Sequence, residues 1–147
     1  MNTKLSLCFC GLLLLLSGCA SIRPPQGPSR SVLIEATGYC DCGQCCGWER
    51  SWIPPFRPVY SSGPNKGKPK RVGITASGAK AKKGTIAADT RTYPFGTVMR
   101  IPGYGIGRVE DRGGAIQGST RIDLFFKTHQ QALQWGRRRV RVEVWQP

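Results

Sequence analysis

From Val72 to Trp145 the chain is cut into short apolar runs, with turns bearing glycine or proline among them. VGITASG, GTIAAD, VMRIP, IGRVED and RIDLFF are such runs, and PFGT and GYG are tight turns between them. Upstream, SVLIEATGY reads as a first strand. The final segment RRRVRVEVW alternates strictly: Val140, Val142 and Val144 face one side, and Arg139, Arg141 and Glu143 the other. One stretch, KTHQQALQWG, suits a helix, with Thr128 as N-cap and Gly136 just past the end. About six short strands, one short helix near the C-terminus and Gly/Pro turns predict a mainly β chain. A small barrel fits this pattern and a βαβ sheet does not.

Three of the four aspartates lie within residues 85–126. Asp89 follows Ile86-Ala87-Ala88, Asp111 follows Val109-Glu110, and Asp123 sits between Ile122 and Leu124. Carboxylates are seldom placed beside buried strands unless something there needs them. Strand interiors also disfavour Asp, which singles out Asp123 as functional. Asp111, before Arg112-Gly113-Gly114, is a second candidate. Asp89 precedes a turn and can equally serve as an acceptor for backbone N–H groups there.

The N-terminus reads as an export signal. Lys4 precedes an apolar stretch over residues 5–16 that is too short for a stable span. It ends in Leu16-Ser17-Gly18-Cys19, which looks like a bacterial lipobox. That resemblance implies a signal peptide over 1–18, removed before Cys19, and lipidation of the Cys19 thiol. Several acyl chains make such an anchor effectively permanent. Ala20 after Cys19 resembles cargo for the outer membrane, facing the periplasm. Residues 19–31, rich in Pro, Ser and Gly, read as a flexible tether, and 32–147 as a single domain. The net charge of +14 implies polyanionic surroundings. In an exported protein these are cell-wall polymers, lipopolysaccharide or anionic lipid, and not nucleic acid.

A Cys-rich and basic/aromatic loop is expected over 40–71. Its four cysteines, Cys40, Cys42, Cys45 and Cys46, most simply form two disulfides in an exported domain. Bonding between the adjacent Cys45 and Cys46 would be strained. The open pairings therefore join each of them to Cys40 or Cys42. Structural zinc usually takes two separated Cys-x-x-Cys arms, and Cys42-x-x-Cys45 is the only one present, so no metal site is expected. Residues 48–71 hold five prolines and six basic residues and no regular period. They read as a long loop whose Trp48, Trp52, Phe56 and Tyr60 either cap the core or line a groove. His129, the single histidine, reads as a surface residue at a helix start.

TASG, GTIAAD, PFGT, IPGYG, VEDRGGAIQG, RIDLFF and ALQWGRRRV, in that order, resemble the three-aspartate (3D) domain. This is the barrel domain of membrane-bound lytic transglycosylase A and of stationary-phase survival and muralytic proteins. The resemblance runs over about 32–145. It implies a six-stranded double-psi β-barrel and cleavage of the β-1,4 bond between N-acetylmuramic acid and N-acetylglucosamine, leaving a 1,6-anhydromuramyl end. It assigns the catalytic acid/base to Asp123, places Asp111 beside it, and completes the trio with Asp89. Arg112 stands where the family often has a small residue, and Gln117 where lysine is common. A second domain that walls the groove in transglycosylase A is absent from this sequence. Substrate affinity is therefore expected from the barrel and the 48–71 loop.

Such chemistry needs one carboxyl group that is protonated near neutral pH. Burial beside Leu124, Phe125 and Phe126 and repulsion from Asp111 or Asp89 should raise the pKa of Asp123, while Arg112 or Arg121 should keep Asp111 ionised. Thr75, Ser77, Gly78, Gly113, Gly114 and Arg121 are the candidate substrate-binding residues. The partners implied are peptidoglycan glycan strands and, through Cys19, a membrane; no cofactor is expected. Two further readings compete with the enzyme: a non-catalytic peptidoglycan-binding or structural lipoprotein, and a barrel of the barwin/expansin sort that loosens polysaccharide. A strand-swapped dimer is also open.

Overall fold

The structure, a computed structural model, describes residues 22–147. The expected signal peptide and the Cys19 lipidation site lie outside the described residues. Six strands close into one barrel: β1 (Arg30–Tyr39), β4 (Thr85–Ala88), β5 (Val98–Ile101), β6 (Gly105–Asp111), β7 (Arg121–Phe125) and β8 (Arg138–Trp145). Around the barrel the order is β1-β7-β4-β6-β5-β8, with β8 pairing back onto β1. The β1/β7 and β4/β6 ladders are parallel and the other four antiparallel. The mainly β, six-stranded barrel expected from the sequence is therefore present. β1 begins at Arg30, inside the segment expected as tether.

Alternation decides which side chains fill the barrel. Ile34 and Ala36 of β1, Ile86 and Ala88 of β4, Ile122 and Leu124 of β7, and Val142 and Val144 of β8 are all buried and belong to one cluster. Each larger aliphatic among them contributes about 1.5–3 kcal/mol on leaving water. Their neighbours in sequence point outward, so Glu35, Thr37 and Tyr39, Ala87, and Asp123 and Phe125 share the outer wall. Tyr39, Ala87 and Phe125 form a second, smaller apolar cluster there.

The helix α2 (His129–Trp135) is capped as expected: Thr128 Oγ1 accepts from the Gln131 amide at 3.2 Å, and Gly136 ends it at φ +64°. Trp135 Nε1 donates to the Ala36 carbonyl at 3.1 Å, which fixes α2 on β1. The contact is close enough that a Cβ on Gly38 would lie 2.9 Å from the Ala132 carbonyl oxygen.

Two segments differ from the sequence expectation. Residues 48–71 are not one irregular loop: β2 (Trp48–Arg50) and β3 (Pro58–Tyr60) pair as an antiparallel ribbon separate from the barrel. A one-turn helix, α1 (Gly43–Cys46), precedes it. Pro54 and Pro55 lie between the two strands and Pro58 is the first residue of β3, positions where a missing N–H is tolerated. The second segment, VGITASG, forms a turn with a single bridge, Ile74 to Lys80, instead of a strand. Its Gly73 and Gly78 both adopt positive φ, which bends the backbone away from an extended path.

Candidate active site

Register brings the carboxylates together. β4 lies between β6 and β7, and Ala87 is the ladder partner of both Asp111 and Asp123. On the other edge of β7, Thr37 of β1 is the partner of Asp123. Strands paired in parallel point register partners to the same side. The Thr37 hydroxyl accordingly donates to Asp123 Oδ1 at 2.9 Å.

Asp123 is half-buried. Burial raises its pKa, the Thr37 hydroxyl and the Leu124 amide pull it back, and the negative charge of Asp111 adds to the rise. The net shift is upward, in the expected direction. The carboxyl lines an open cavity of about 290 Å³ with Thr37, Glu35, Arg121, Arg137 and Ile116. Glu35, Arg121 and Arg137 also line a larger cavity, of about 460 Å³, together with Leu33 and Arg139. Sharing Glu35, Arg121 and Arg137, the two cavities adjoin as a trough on the outer wall of β1, and Asp123 lines its smaller part.

Asp111 is held by donors. Its Oδ1 accepts from the amides of Ala76 and Arg112, both at 2.9 Å, and its Oδ2 from the Tyr39 hydroxyl at 3.1 Å. The expected ion pair with Arg112 or Arg121 is not formed. The Arg112 guanidinium lies over the Phe95 ring at 5.8 Å, and Arg121 Nε donates to Glu35 at 3.1 Å. Two backbone amides and the Tyr39 hydroxyl take the contacts on Asp111 that arginine was expected to make. Tyr39 keeps its proton: burial, then the charges of Asp111 and Asp123, push its phenol well above the usual range.

Asp89 belongs to a different network. Arg91 clasps both its oxygens, at 3.0 and 2.7 Å, and the amides of Arg91 and Gly118 add bonds of 3.0 and 2.8 Å. The side-chain bonds from Arg91 first, and then these amides, hold its carboxyl far below the usual carboxylate range. It lines a neighbouring cavity with Arg112, Gly113, Gly114 and Gln117. The three aspartates thus separate into a pair, Asp111 and Asp123, and an outlier.

The expected binding residues divide similarly. Arg121 reaches the trough. Gly113 and Gly114 line the Asp89 cavity, and a Cβ on Gly113 would lie 2.7 Å from Ile116. Thr75, buried, spends its hydroxyl on Ser77 and on the Ala79 carbonyl, and Gly78 closes the same turn on the Thr75 carbonyl. The contribution of this turn is Ala76, whose amide grips Asp111. Ala76, Thr37, Tyr39, Glu35 and Arg137 were all missed from the sequence. The alternation of Glu35, Thr37 and Tyr39 with Ile34 and Ala36 marks a polar outer face on β1. Nothing local says that β7 pairs with it, more than eighty residues later.

Cys40, Cys42, Cys45 and Cys46, expected as two disulfides, instead stand beside this site as free thiols. Cys40 follows Tyr39 directly, and its Sγ lies 3.7 Å from that of Cys45. Cys46 turns its thiol to the Cys40 carbonyl instead, at 3.1 Å. His129, expected at the surface without cysteine neighbours, is half-buried with Nδ1 at 3.3 Å from Cys45 Sγ and 3.6 Å from Cys42 Sγ. Folding brings α2 back onto the exit of β1, which sequence separation concealed. Trp52 and Phe56, at the ribbon tip, are 85% and 50% exposed, so they do not cap the core.

A family model of the 3D domain matches residues 84–146. Two Bacillus subtilis (strain 168) proteins align over 76 residues, 49% of this chain. YabE, whose name gives it a cell wall shaping role, is 34% identical with 18% of its length covered. YocH, named a cell wall-binding protein, is 37% identical with 26% covered. The chain thus spans about a quarter or less of either relative. Among solved structures, MltA from Escherichia coli is similar at 22% identity and a TM-score of 0.41, over 48% of this chain and 26% of that one.

Proposed function

We propose, from the premise that residues 84–146 are a 3D domain, that this chain acts on peptidoglycan and cleaves its glycan strands as a lytic transglycosylase with Asp123 as acid/base. The observation that carries the proposal is Asp123 itself. It is a carboxyl with a raised pKa, in an open cavity flanked by arginines, with a second carboxylate across the one intervening strand, β4.

Asp123 in its protonated form donates to the glycosidic oxygen of the leaving sugar. The resulting carboxylate then takes the proton of the muramic 6-hydroxyl, whose oxygen attacks the anomeric carbon and closes the 1,6-anhydro ring. One carboxyl serves both steps, and no water or widely spaced second carboxylate is needed. Thr37 holds one oxygen of Asp123 and so fixes its rotamer. Asp111, immobilised by three donors, places a negative charge near the oxocarbenium-like centre. Arg121, Arg137 and Arg139 supply cations for the carboxylates of the strand. A signal peptide over 1–18, lipidation at Cys19 and an outer-membrane location facing the periplasm complete the proposal, resting on the lipobox-like sequence.

The test is digestion of purified sacculi by the full chain, followed by mass analysis. Anhydromuramyl products from the wild type and none from Asp123→Asn support the enzyme. Binding to sacculi without products from either protein overturns it. That second outcome fits the other reading, a non-catalytic peptidoglycan-binding protein. It is favoured by the use of Asp111 and Asp89 in internal hydrogen bonds, and the name of YocH is in keeping with it.

A further inference from the structure

We infer that Cys40, Cys42, Cys45 and His129 form a structural zinc site that clamps the exit of β1 to the start of α2. The four ligand atoms all lie within 4.8 Å of one another. In tetrahedral zinc, bonds of about 2.3 Å to sulfur and about 2.0 Å to nitrogen set S···S edges near ~3.8 Å and S···N edges near ~3.5 Å. The observed edges are 3.7 Å for Cys40 to Cys45, and 3.6 and 3.3 Å from His129 Nδ1 to Cys42 and Cys45. These three of the six edges match a tetrahedron, and the other three stay within 4.8 Å.

The chemistry of the set is equally specific. Three thiols converge on one imidazole nitrogen, a borderline-soft donor set that suits zinc. Cys42-x-x-Cys45 is one chelating arm, with α1 setting its turn, and Cys40 enters from the end of β1. The fourth ligand comes from a distant part of the chain. The remaining cysteine, Cys46, is directed away to a backbone carbonyl. Two disulfides would need four thiols paired two and two, an arrangement this geometry does not present. Four protein ligands leave no open position, so the metal supports the fold and does not enter the reaction. Its position bears on the reaction indirectly: Cys40 is covalently next to Tyr39, and Tyr39 holds Asp111.

The test uses the full chain purified under reducing conditions, with zinc added in competition with a chromogenic chelator. One zinc per chain is expected, together with a higher Tm on loading. Cys42→Ser and His129→Ala should each weaken zinc affinity by roughly a hundredfold or more, while Cys46→Ser leaves it unchanged. X-ray absorption on the zinc-loaded wild type needs no variant and should read three sulfur neighbours and one nitrogen. The assignment is overturned by stoichiometric failure to bind zinc, by a ligand shell of other composition, or by Cys46→Ser weakening binding as much as Cys42→Ser. It is equally overturned if protein isolated from its own compartment carries Cys45 in a disulfide and no zinc.

Discussion

Thr37 and Asp123 are register partners on parallel strands, and the threonine hydroxyl donates to Asp123 Oδ1 at 2.9 Å. A donor to a carboxylate favours its charged form and lowers its pKa. Thr37→Val removes the donor at nearly constant volume, so the Asp123 pKa should climb further. The alkaline limb of the pH–activity profile should then move to higher pH, with turnover reduced by about tenfold through loss of positioning. Carboxyl-carbon NMR titration of wild type and variant checks the direction; a downward move would contradict it.

Asp123→Asn should abolish product formation, by at least about a hundredfold, while raising Tm at neutral pH. A carboxyl whose folded pKa lies above its unfolded value of about 3.9 loses stability as pH rises from there through the folded value, and the cost persists above it. Asparagine carries no such cost and can still accept from Thr37. Thermal melts at pH 7 and pH 3 check this: the gain should be present at pH 7 and shrink at pH 3.

Asp89 should behave in the opposite sense. Its folded pKa is depressed by the Arg91 and Gly118 donors. It therefore contributes stability above the unfolded value of about 3.9, and loses it as pH falls through the folded value. Asp89→Asn should lower Tm at pH 7, and the difference from wild type should narrow below about pH 4. Calorimetry across that range is the measurement. Trough binding of glycan should change little, because Asp89 lines the other cavity.

These contrasts also show what could be read from the amino-acid order. The strand periods of β1, β4, β7 and β8 and the cap at Thr128 are local signals, and they carried the barrel. The ranking of Asp123 over Asp89 followed from strand interior against turn. Thr37, Tyr39 and Ala76 could not be found that way, because each owes its role to a register partner or turn contact far along the chain. The ribbon over 48–60 was hidden by its prolines, which mask the period-two pattern. His129 was misjudged for a related reason: its neighbours are set by the docking of α2, not by the sequence around it.

That docking depends on Gly38. A Cβ there meets the Ala132 carbonyl at 2.9 Å and the Ala132 Cα at 3.1 Å, so β1 and α2 would have to separate. Gly38→Ala should cost about 1–3 kcal/mol, as overpacking does, measured by chemical denaturation. The same displacement moves His129 from the thiols, so zinc affinity should fall in this variant although no ligand has been changed.

The antiparallel pairing of β1 with β8, from Arg30 opposite Val144 to Ala36 opposite Arg138, sets a direction for the whole molecule. The chain enters β1 at one rim of the barrel, and Trp145 returns to that rim to bond the Gly27 carbonyl at 3.3 Å. Thr37, the register partner of Asp123 on β7, lies seven residues further along β1, roughly 23 Å at about 3.3 Å per residue. The residues before Arg30 then run back along the barrel, and Ile22 packs at the opposite rim, its Cδ1 3.0 Å from where a Cβ on Gly84 would stand, just before β4. The segment leading into β1 is thus a strap laid along the barrel wall, held at Gly27 by Trp145 and at Ile22 by the Gly84 turn.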